Sequence, residues 1–106
     1  MAIEVQVDLD LSIGAVEPAS FVLLSNVDSD TLDSVTVAPQ NAHATVSGAA
    51  VQDTSYYFRK GSRQIAANKA VRCTLTGVST GIAKILVTGT CASGRVTVVQ
   101  FNIEVK

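Results

Sequence analysis

From Ile3 to Leu11 the chain alternates without a break: Ile3, Val5, Val7, Leu9 and Leu11 on one side, Glu4, Gln6, Asp8 and Asp10 on the other. A period of two is the repeat of a pleated strand with one wet face, and a helix cannot gather these residues onto one stripe. The same period returns near the other end. Val71, Cys73 and Leu75 alternate with Arg72, Thr74 and Thr76, and Ala83, Ile85 and Val87 share a side opposite Leu86 and Thr88. Shorter strands are expected at Phe21–Leu24, at Val35–Val37 closed by Pro39, and weakly over Ala42, Ala44 and Val46, stopping at Gly48. Loops are expected through Gly14 and Pro18 and through the acidic stretch from Asn26 to Ser34. Gln64–Lys69 is too short for a free-standing helix and reads as a loop crossing the molecule. Ala92-Ser93-Gly94 reads as a hairpin turn whose glycine takes positive φ. In the last strand Phe101, Ile103 and Val105 point inward while Val96 and Val98 fall in the other phase, which predicts a bulge near Val98-Val99.

Such a series of short strands with frequent turn signals predicts one all-β domain over residues 1–106, a two-sheet sandwich of about seven to eight antiparallel strands. Composition agrees. Only 16% of residues are charged, against a usual figure of about 25%, and Ser and Thr fill many polar positions where a helical protein would carry Lys and Glu. No stretch approaches the roughly 20 apolar residues of a membrane-spanning helix.

The charges are unevenly placed. From Met1 to Phe58 there are eight acids and no Lys or Arg; from Arg59 onward stand all eight bases, with Glu104 the lone acid. This separation serves pairing within the fold or between neighbouring copies. The most basic patch, Arg59, Lys60, Arg63, Lys69 and Arg72, follows Tyr56, Tyr57 and Phe58. A slightly acidic whole, with net charge −1, argues against nucleic-acid binding and for protein contact.

Catalytic signatures are lacking. The sole histidine, His43, is expected to face outward from a weak strand, and no nucleophile elbow, phosphate loop or dinucleotide fingerprint occurs. Cys73, Cys91 and His43 match no zinc spacing. Asp28, Asp30 and Asp33 form an acidic loop without the glycine and distal glutamate of an EF-hand, and read as a solvated turn. The two cysteines read as buried small hydrophobes. No cofactor or metal is expected.

The run from Val71 to Cys91, closed by Ser93-Gly94 and the strand to Lys106, resembles the last three strands of immunoglobulin-like modules of bacteriophage virion and bacterial surface proteins, with a fibronectin type III-like rhythm. The likeness covers about a third of the chain, and the chain lacks the Trp and the Cys…Trp…Cys spacing of antibody domains. With no export signal read at Met1–Val5, the resemblance implies a non-enzymatic structural protein of a tailed phage, made in the host cytoplasm and resident in the virion. The expected role is a capsid decoration or cement protein, multicopy or homo-oligomeric, bound to the major capsid protein or another virion protein. Partner contact is expected through Arg59, Lys60, Arg63, Lys69, Arg72 and Tyr57, and through the Ile3 and Val5 end of an edge strand that extends a neighbouring sheet. The alternative is an adhesion or ligand-binding module of a larger secreted protein.

Overall fold

The computed structural model describes residues 3–57 and 64–106, and for residues 3–10 and Tyr57 it describes the backbone. Its strands are β1 (Ile3–Leu11), β2 (Val16–Val22), β3 (Leu32–Pro39), β4 (Ala44–Val51), β5 (Tyr56–Tyr57), β6 (Gln64–Ile65), β7 (Ala70–Gly77), β8 (Gly81–Cys91) and β9 (Val96–Val105). No helix occurs among the described residues.

One sheet has the order β1-β9-β8-β3 and the other β2-β7-β4, while β5 and β6 make a small separate hairpin. Consecutive strands β7 and β8 therefore lie in different sheets, and the chain crosses the sandwich between them. This is the immunoglobulin-like division of strands into two layers. Among the described residues the strands pair antiparallel except that β1 runs parallel to β9, with Ile3 opposite Val99 and Val7 opposite Ile103, and a single parallel bridge joins Ile13 to Gly77. A parallel pair needs a long connection, and here the whole domain separates its first strand from its last.

The layers meet over an apolar interior that includes Leu11, Phe21, Val71, Leu75, Ile85, Val87, Phe101, Ile103 and Val105. Phe21 of one sheet meets Phe101 of the other with ring centroids 4.4 Å apart and planes tilted by 32°. That is a favourable aromatic geometry, worth about 0.5–1.5 kcal/mol beyond the area it buries. Cys73 and Cys91 are both buried and unbonded, on β7 and β8 in opposite layers.

Several local expectations are corrected. The second strand starts at Val16 rather than Phe21, so Pro18 lies within it, opposite Thr74. An edge strand admits proline because one side of its ladder has no partner to receive an N–H. β4 does not stop at Gly48 but runs on to Val51. Gly48, at φ 64°, is absorbed as a bulge between Ser47 and Ala50. β9 carries no bulge against β8: the register from Val96 to Val105 is continuous. Val96 and Val98 belong to its outer face, where Val96 is exposed and Val98 half-buried. The β8–β9 turn falls where expected, with Gly94 at φ 92°.

Candidate functional site

The residues with chemical potential gather at the two ends of the sandwich and along its edges. At one end the loop between β2 and β3 meets the turn between β8 and β9. Ala92 N–H donates to the Thr31 carbonyl, and Ser93 Oγ donates to Asp30 at 2.5 Å. Arg95 reaches Asp28 at 2.7 Å and Asp30 at 3.6 Å. Beneath them Lys69, almost wholly buried, donates its ammonium to the backbone carbonyls of Asp28 and Asp30. The Asp28 carboxyl is held below its ordinary value of 3.8, chiefly by the Arg95 hydrogen bond. Asp30 is lowered too, chiefly by the Ser93 hydroxyl.

The loop expected to be a solvated turn is thus a cross-linked corner. Its inward carbonyls face the lysine ammonium, and its carboxylates face the guanidinium. No cluster of three or more His, Cys, Asp or Glu among the described residues is placed to hold a metal ion.

At the opposite end, Lys106 N–H donates to the Leu11 carbonyl, and Ile13 N–H to that of Lys106. His43 does not face freely outward. Its Nδ1 lies 3.2 Å from the Ser79 carbonyl and 3.0 Å from the Ser79 hydroxyl. Its own carbonyl accepts from Val78 N–H and Ser79 N–H. The ring covers Gly81, so closely that a Cβ there would stand 2.5 Å from the imidazole Cε1. The reason is positional: His43 precedes β4 rather than lying within it, so strand alternation does not set its direction. Ile13, Val16 and Val78 are exposed around this end, an apolar rim to which the sequence reading gave no role. Their common signal was proximity in chain to Gly14 and Gly77, which the structure brings together.

The expected contact residues divide. Arg59, Lys60 and Arg63 lie outside the described residues. Tyr57 falls in β5, and Ile3 and Val5 in β1, an edge strand as expected. Arg72 is exposed on the outer face of β7, 3.7 Å from Asp53. Lys69 is a correction: its charge is spent on carbonyls inside the corner, so it is no surface contact. The structure therefore does not join Lys69 and Arg72 into one basic patch. It pairs bases of the second half with acids of the first, Arg95 with Asp28 and Asp30, and Arg72 with Asp53. On the outer face of the three-stranded sheet, Ser20 Oγ donates to the Tyr56 hydroxyl at 2.5 Å, tying the small hairpin down.

No protein-family profile matches the chain, and no curated protein matches it. Among solved structures, domains 4 and 5 of the S-layer protein SbsC are similar, with a TM-score of 0.50 and 15% identity. The match takes in 97% of this chain and 48% of that one, so this chain spans about half the length of the two-domain fragment. At that identity the likeness is one of fold: an all-β sandwich.

Proposed function

We propose that the chain is a non-enzymatic structural module that works through its outer surface in a multicopy protein assembly, and specifically that it is a decoration protein on the capsid of a tailed bacteriophage. The reading rests on one observation. Among the described residues, groups that could carry chemistry are engaged in holding the fold: His43 on Ser79, Lys69 on the carbonyls of Asp28 and Asp30, those carboxylates with Arg95 and Ser93, and both thiols in the interior. What remains for a partner is the outer skin and the strand edges. A subunit that binds only the assembled shell stabilises it by mass action.

The test is co-sedimentation with purified capsid shells lacking the chain, using the native protein and a variant with Arg59, Lys60 and Arg63 neutralised. The reading expects pelleting with the shells, a raised shell melting temperature, and weaker pelleting of the variant. A chain that stays in the supernatant at every concentration contradicts it.

A second reading draws on the S-layer neighbour: one module of a larger cell-surface protein. It takes its support from the correspondence to about half of a two-domain fragment. It expects binding to cell envelopes rather than to capsid shells.

A further inference from the structure

Among the described residues, β1 is hydrogen-bonded to one strand only, β9. Its register with β9 falls into two parts. From Ile3 to Val7 the two strands advance together, with Ile3, Val5 and Val7 opposite Val99, Phe101 and Ile103, three buried residues. From Val7 to Leu11 β1 then takes four steps while β9 takes two, from Ile103 to Val105. The surplus length lies in the link of residues 8–10. Beyond that link the chain is pinned. Lys106 N–H donates to the Leu11 carbonyl, Gly14 N–H to that of Gly77, and Gly77 N–H to that of Ala15.

Ile3–Val7 is therefore a short strand joined to a fixed body by a link with slack. The edge of β9 that it covers accepts a strand of this sequence, and a second copy carries the same sequence. Main-chain pairing is alike within one chain and between two, so exchange forfeits no strand hydrogen bonds. The balance then falls on what else the copies bury against the cost of associating. The link fixes the geometry. From Val7 to Leu11 an extended chain spans at most about 14 Å, so Leu11 of one copy must lie near Ile103 of the other. Both residues belong to the end of the sandwich that holds Lys106. That end exposes Ile13, Val16 and Val78, at 56%, 62% and 48%. Exchange thus brings two apolar rims toward each other, and their burial favours the exchanged pair.

We propose that the edge of β9 from Val99 to Ile103 is a strand-docking site whose occupant is exchangeable between copies. Ile3–Val7 of a second copy pairs there as the chain's own segment does, and the two copies meet through the ends that carry Ile13, Val16 and Val78. The inference goes beyond the proposed function and needs no shell, because it follows from strand register and the exposed rim alone.

The test uses the full chain and the register pair Glu4 and Gln100, which stand opposite each other on β1 and β9. Neighbouring strands are close enough for a disulfide. Two single variants, Glu4→Cys and Gln100→Cys, are mixed at high concentration and oxidised without denaturant. A covalent dimer should form in the mixture and be absent from either variant alone. The double variant Glu4→Cys, Gln100→Cys, oxidised when dilute, locks the strand onto its own β9. Sedimentation should show that locking abolishes the dimer and that a reductant restores it. Should the cysteine variants fail to fold, isotope-filtered NMR on a mixture of labelled and unlabelled native chain decides. It should show backbone contacts from residues 3–7 of one copy to residues 99–103 of the other. A mixture without the covalent dimer, a dimer that survives locking, or a native chain that remains monomeric up to about 1 mM would overturn the inference.

Discussion

Lys69 illustrates how a charge is accommodated in a small β domain. Its side chain is buried and its ammonium donates to the backbone carbonyls of Asp28 and Asp30. Replacing it with Met keeps the stem and removes the donor, so Lys69→Met should cost about 1–3 kcal/mol in a urea titration. His43 and Gly81 make a second such fit. Gly81 has φ 146°, and an added methyl group meets the imidazole ring. Gly81→Ala should cost about 1–3 kcal/mol, read the same way. Asp30 contributes to the acid response. Its folded pKa lies below the unfolded value, so its contribution is present above the ordinary carboxylate range and is lost as pH falls through the folded value. An Asp30→Asn variant should therefore be less stable than native at about pH 7, with the gap narrowing toward about pH 3. Salt should also narrow it, since Arg95 is half-exposed. Burial pushes the Cys73 thiol up to about 11. It should resist thiol reagents in the folded protein and react in step with the unfolding transition.

At the scale of the elements, the sandwich depends on contact between its layers. Phe101 of β9 meets Phe21 of β2, and Phe101→Ala should cost about 3–5 kcal/mol by leaving a cavity in that contact, measured as a shift in the urea midpoint. Strand alternation made most of this architecture legible. β1, β7 and β8 were readable from their period of two, which side-chain burial follows in β7 and β8, and the β8–β9 turn was readable from Ser93-Gly94. The errors came where another force set the outcome. Pro18 reads as a breaker unless the strand is known to be an edge, and edge position is a tertiary fact. Gly48 looks like a stop because a bulge and a turn begin with the same residue. Val96 and Val98 suggested a bulge because apolar residues on an outer face mimic a change of phase. The parallel pairing of β1 with β9 joins the two ends of the chain, so no local signal carries it. The corner of Asp28, Asp30, Lys69 and Arg95 was illegible for the same reason: its members lie up to 67 positions apart.

Over the whole molecule, the unequal halves of the sequence become a division between edge and centre. The acid-bearing half supplies every edge of the two main sheets, and the base-bearing half supplies their central strands. Some of that charge is satisfied internally, Arg95 with Asp28 and Arg72 with Asp53. The proposed function places the outer surface and the strand edges of the sandwich, β1 among them, against a shell. The most direct test of that account is residue-resolved amide hydrogen exchange of the chain, free and then bound to purified capsid shells. The account predicts that β7, β8 and β9 exchange slowly in both states, and that alternate amides of β1 exchange rapidly when free and slowly when bound. Protection of β1 that is unchanged by the shells, or new protection confined to the interior strands, would contradict it.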